Sequence, residues 1–149
     1  MDKKANIVFD PQQINLFDIK VDSHIQITHE LDTSICEMMV AFVTSIEQNI
    51  NAERLRVLLT VNLKREDNVN DLADFNFEFY FNVQNLKNFF IKHEEEDVLS
   101  SQMAIPLTSI ALSTARGIIF EKLHDTNWKK VIIPVVSPLK IIKDTIRKV

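Results

Sequence analysis

The sequence predicts an α+β domain in which an antiparallel sheet comes first and two helices then pack on its apolar face. Three observations carry that expectation. Apolar and polar residues alternate in three separate segments before residue 84. The polar loop between the second and third of these is too short for a parallel crossover. Apolar residues return at helical spacing only after Pro106, and again after Pro138. At 149 residues the chain holds one domain, residues 1–149, with residues 1–13 read as a flexible or edge segment.

The first alternating segment, 17–27, puts Phe17, Ile19, Val21, Ile25 and Ile27 on one face and Asp18, Lys20, Asp22, His24 and Gln26 on the other. Residues 55–63 repeat the pattern with Leu55, Val57, Leu59, Val61 and Leu63, and residues 75–83 with Phe75, Phe77, Phe79, Phe81 and Val83. The three strands therefore share one apolar face. Segment 35–50 is ambiguous. Ile35, Met38, Met39, Phe42 and Ile46 have helical spacing, with Ser34 and Glu37 placed for a capping box, whereas Met38, Val40, Phe42 and Ile46 also share one face of a strand. Residues 66–74, rich in Asp and Asn, form the return loop.

Beyond the last strand, Leu86, Phe89, Phe90 and Ile91 make an apolar edge. The acidic run Glu94–Asp97 reads as a solvated loop or a helix start, with a metal site involving His93 as the minor alternative. Pro106 suits the first turn of a helix that continues through Leu107, Ile110, Ala111, Thr114 and Ile118 to about Asp125. Gly117, the single glycine, costs that helix about 1 kcal/mol against alanine. Together with Ala111, Ser113 and Ala115 it forms small-residue pairs at which a sheet or a second subunit can approach closely. Ser137 and Pro138 have the N-cap and N1 chemistry of a second helix, with an apolar stripe at Leu139, Ile142, Ile146 and Val149.

Several function classes drop out. A net charge of −4 and a pI near 5.5 give no basic stripe for nucleic acid and no grip on an anionic membrane. One cysteine, Cys36, and four scattered histidines supply neither an internal disulfide nor a zinc-ligand spacing, so no metal and no cofactor are expected. The first ten residues lack an apolar leader pattern and no apolar run reaches membrane-spanning length, which places the expectation in the cytoplasm. A single glycine cannot build a phosphate-binding loop or a nucleophile elbow. No nucleophile–base pair stands out, and His124–Asp125 read as a helix end, so an enzyme is not expected.

The order of elements, with Ile105–Pro106, Arg116–Gly117 and Ile133–Pro134–Val135, resembles the SecB family of protein-export chaperones over about residues 14–146. Ser109 departs from it, standing where the family has an arginine. The resemblance implies a four-stranded sheet, taken here as a meander, and turns 38–48 into its second strand. It also implies a homotetramer built as a dimer of dimers, and an ATP-independent holdase for non-native polypeptides. On that basis Phe42, Phe89, Phe90, Trp128, Val135 and Leu139 are the candidate client-binding residues, and Ala111, Ser113, Ala115 and Gly117 the candidate oligomer interface. Asp18, Asp22 and Glu78 on the polar sheet face are candidates for docking the export motor. The alternatives are a dedicated binder of one protein, such as an antitoxin-associated SecB-like module, and a small-ligand binder or enzyme with a cavity between helix and sheet.

Overall fold

The computed structural model describes residues 10–28, 38–66 and 70–146, with side chains through Ile142. Ser34, Ile35, Cys36 and Glu37, and Val149 of the proposed C-terminal stripe, lie outside the described residues. Strands β1 (Ile14–Gln26), β2 (Met38–Asn49), β3 (Arg54–Arg65) and β4 (Leu72–Val83) form one antiparallel sheet. The ambiguous segment is thus a strand from Met38, because its apolar residues fall at period two against β3 and not against a helix-shaped partner.

The strand order is β1-β4-β3-β2, which corrects the expected meander to a Greek key. Strands β2, β3 and β4 follow one another through hairpins, but β1 pairs with β4, and the connection after β1 joins the two edges of the sheet. The pairing lays Leu16, Ile19 and Val21 opposite Phe81, Phe79 and Phe77, the most apolar row available. A bulge between Leu16 and Asp18 makes Phe17 an extra residue. Its ring therefore leaves the apolar face, is 43% exposed, and lies 6.1 Å from the Tyr80 ring on the polar side.

A 3-10 turn (Leu86–Phe89) leads to a small hairpin of β5 (Phe90–His93) and β6 (Glu96–Leu99). The acidic run is its solvated turn, with Glu94 at φ 57°, and it starts a strand where a helix start was the other option. Helix α1 (Ser101–Leu123) begins five residues before Pro106, capped by the Ser100 hydroxyl, which accepts from the Gln102 N–H at 3.3 Å. Pro106 is consequently inside the helix, a correction to its expected place in the first turn. The buried stripe is Met103, Leu107, Ala111, Ala115, Ile119 and Leu123, at strict four-residue spacing, while Ile110, Thr114 and Ile118 flank it. With the turn before Pro106 added, α1 is 23 residues and is long and apolar enough to cross a membrane, which the sequence reading did not expect. Its buried stripe lies on the sheet, as in the core helix of a globular domain. Helix α1 crosses β3 and β4, and helix α2 (Pro138–Ile146) lies against β2 and α1. Between them, residues 131–137 run without regular structure, alternating buried Val131 and Ile133 with exposed Ile132 and Pro134.

Candidate functional site

Strand β2 is an edge of the sheet, with α2 packed against it. Two cavities open there. The smaller, of about 160 Å³, is lined by Phe42 of β2, by Ser109, Leu112, Ser113 and Arg116 of α1, and by Pro134, Val135, Val136 and Pro138. The larger, of about 400 Å³, is lined by Thr44, Ser45, Ile46 and Gln48 of β2, by Glu96–Leu99 of β6, by Ala104 and by Ile142. Pro138 and Ile142 are one helical turn apart on α2, and Phe42 and Ile46 point to the same face of β2, so the two cavities are successive along one strand and one helix.

The walls are placed by local chemistry. The Arg116 Nε donates to the Ile133 carbonyl oxygen at 3.0 Å, which ties the irregular 131–137 segment to α1 and holds Pro134 and Val135 at the rim. The Thr44 hydroxyl, buried on the inner face, donates to the Leu58 carbonyl at 3.0 Å and keeps a polar atom paired beneath the larger cavity. Val135, on the lining of the smaller cavity, is 80% exposed, and Leu139 of α2 is 41% exposed, so both present apolar area to solvent.

Of the six candidate client-binding residues, Phe42 and Val135 come together in the lining of the smaller cavity, Leu139 is exposed on α2 outside both linings, and Phe90 is half-buried against the core at the base of the β5–β6 hairpin. Trp128 and Phe89, at 0% and 2% exposure, belong to the core, which removes them from any accessible surface. Their large apolar area is used under the end of α1 and the 3-10 turn. The small-residue group divides likewise. Ala111 and Ala115 are buried in the core, whereas Ser113 and Gly117 are exposed, and among the described residues nothing beyond the helix's own backbone lies within 4 Å of a Cβ placed on Gly117.

On the polar sheet face, Asp18 and Asp22 are exposed. Glu78 is engaged: Arg56 lies 3.6 Å from one of its oxygens and the Tyr80 hydroxyl donates to the other at 2.8 Å. Arg56 also pairs with Glu47, and hydrogen bonds to Glu47 first and Tyr80 second raise its pKa above the ordinary arginine value. Lys20 stacks 5.2 Å over Tyr80 and Arg54 5.3 Å over Phe17, so the acids on this face are interleaved with cations. Among the described residues, no group of three or more histidine, cysteine, aspartate or glutamate side chains is placed to hold a metal, His93 included.

Sequence reasoning missed Arg116 as a cavity residue and all of the β6 wall. The signal at β6 was slight, since Glu96–Asp97 reads as solvated turn and only Val98–Leu99 is apolar.

The four-stranded antiparallel sheet with α1 packed across it, and the groove beside its β2 edge, define a SecB-like α+β fold. The chain is similar to the solved structure of the Mycobacterium tuberculosis Rv1957 SecB-like chaperone in complex with a ChAD peptide from the Rv1956 HigA1 antitoxin, with a TM-score of 0.56 and 12% identity over 85% of this chain and 91% of that one. No family model and no curated protein sequence matches it.

Proposed function

We propose that this protein is an ATP-independent chaperone that holds non-native polypeptides in the groove along β2, and that it acts by binding and not as an enzyme. The observation that carries the reading is an apolar groove at a sheet edge that the described side chains leave open, with the exposed Val135 on its lining. The likeness in fold to a SecB-like chaperone solved with a bound peptide supports it. Near-stoichiometric protein should suppress aggregation of a reducible, unrelated client without nucleotide. Exchanging Phe42, Val135 and Leu139 together for serine should weaken protection about tenfold or more, since losing even ~50 Å² of apolar burial against a client has that effect. The melting temperature is monitored in parallel. Full protection by a folded triple variant would place the client elsewhere.

A second reading, a dedicated binder of one partner, is favoured by the antitoxin peptide in the related structure. Failure to protect any unrelated client would put it first.

The same reading includes a homo-oligomer. Helix α1 carries no charged residue from Ser101 to Ala115, and on its outward face, with Ser113, Gly117 and the exposed Phe120, no other described element approaches Gly117. Strand β1 is likewise a sheet edge. Gly117→Leu should leave helical circular dichroism intact while shifting the assembly to smaller species by size exclusion with light scattering. An unchanged assembly would remove this face from the interface. The polar sheet face is a poor dock for an export motor, because Glu78 is already held by Arg56 and Tyr80.

A further inference from the structure

The two cavities differ in sign. In the smaller, the Arg116 guanidinium is anchored through Nε, and among the described residues its terminal nitrogens have no carboxylate partner. The first turn of α2 opens at Pro138 in the same cavity, so the positive end of the α2 dipole adds to the arginine. The larger cavity has Glu96 and Asp97 on its wall. Lys92 and His93 lie opposite these two acids in the hairpin register, yet no ion pair joins them. Both signs stand next to apolar lining, where a charge-assisted hydrogen bond is stronger than in open water.

Resting on the reading of the groove as a polypeptide site, we infer that it selects an extended segment carrying one carboxylate and one cation about four residues apart on the same side of the chain, the acid going to Arg116 and the base to Glu96 and Asp97. The spacing follows from β2. Phe42 lines the first cavity and Thr44 to Gln48 line the second, so the strand residues facing the two are separated by two to six positions, centred on about four, or ~13 Å. A bound extended chain has the same rise, and only an even spacing puts both side chains on one face. Apolar residues between the two charges meet the neutral part of the groove, so sequence tolerance there is compatible with selection at the ends.

The test uses labelled peptides of about ten residues in a Thr/Val host, read by fluorescence anisotropy against the full chain. Glu and Lys at i and i+4, in the better of the two orders, should bind about tenfold tighter than the same composition at i and i+3, the worth of one charge-assisted hydrogen bond. Arg116→Gln should abolish that preference, as should the double change Glu96→Gln and Asp97→Asn. Because Arg116 also ties down residues 131–137, the exposed hairpin pair decides if the arginine variant melts early. Equal affinity for the two spacings, with an uncharged host peptide still bound, overturns the charge register and leaves the groove reading standing. No binding of any peptide overturns both.

Discussion

Replacing Phe77 or Phe79 by alanine is expected to lower the free energy of unfolding by about 3 to 5 kcal/mol, the range for a buried aromatic truncated in a core that cannot collapse onto the space. Both rings are buried to 1% exposure or less. They stack on each other at 5.7 Å and 17°, and Phe77 stacks on Phe75 at 6.3 Å. Each is also flanked across the sheet, Phe77 by Val21 and Leu59, Phe79 by Ile19 and Val57. Truncation therefore loses transfer free energy and ring contact together, and the paired strands on both sides prevent the backbone from closing the void. Urea titration should show a lower midpoint with an unchanged slope. A change below about 0.5 kcal/mol, the size of an ordinary surface substitution, would mean that these side chains are not in the core.

The rows of alternating residues were legible because a sheet with one wet face and one dry face writes its geometry into the sequence at period two. Strand order was not, since the expectation of a meander used chain neighbours and the alternation says nothing of which strand β1 pairs with. The bulge at Phe17 was equally silent: one extra residue turned a ring to the outer face without interrupting the apolar pattern. For the candidate site, Phe42 and Val135, singled out as apolar residues to spare from the core, line the smaller cavity, whereas Trp128 and Phe89 were misplaced because an aromatic residue in an irregular segment reads the same whether it fills a core or lines a surface. The cavity role of Arg116 depends on the path of residues 131–137, which only the folded chain defines.

Asp71 shows the same limit in the opposite direction, and its removal should be nearly as costly as loss of a core ring. In the sequence it sits in the polar stretch 66–74, where solvation is the natural expectation. In the fold it is 0% exposed. One carboxylate oxygen accepts from the Thr28 backbone N–H at 2.9 Å and from its hydroxyl at 2.7 Å, and the other lies 3.7 Å from Arg65, itself 7% exposed. The residue thus ties the chain just after β1 to the end of β3 and the start of β4. Asp71→Ala takes this carboxylate away from a buried guanidinium and from the part-buried Thr28 N–H, which together should cost about 3 to 5 kcal/mol. Asp71→Asn keeps an oxygen for Thr28 and should cost less. The double change Arg65→Met and Asp71→Ala should cost less than the sum of the two single changes, because the ion pair between them is lost only once. Denaturant titration of the four proteins in this cycle gives the coupling directly, and a strictly additive double variant would show that Arg65 does not depend on Asp71.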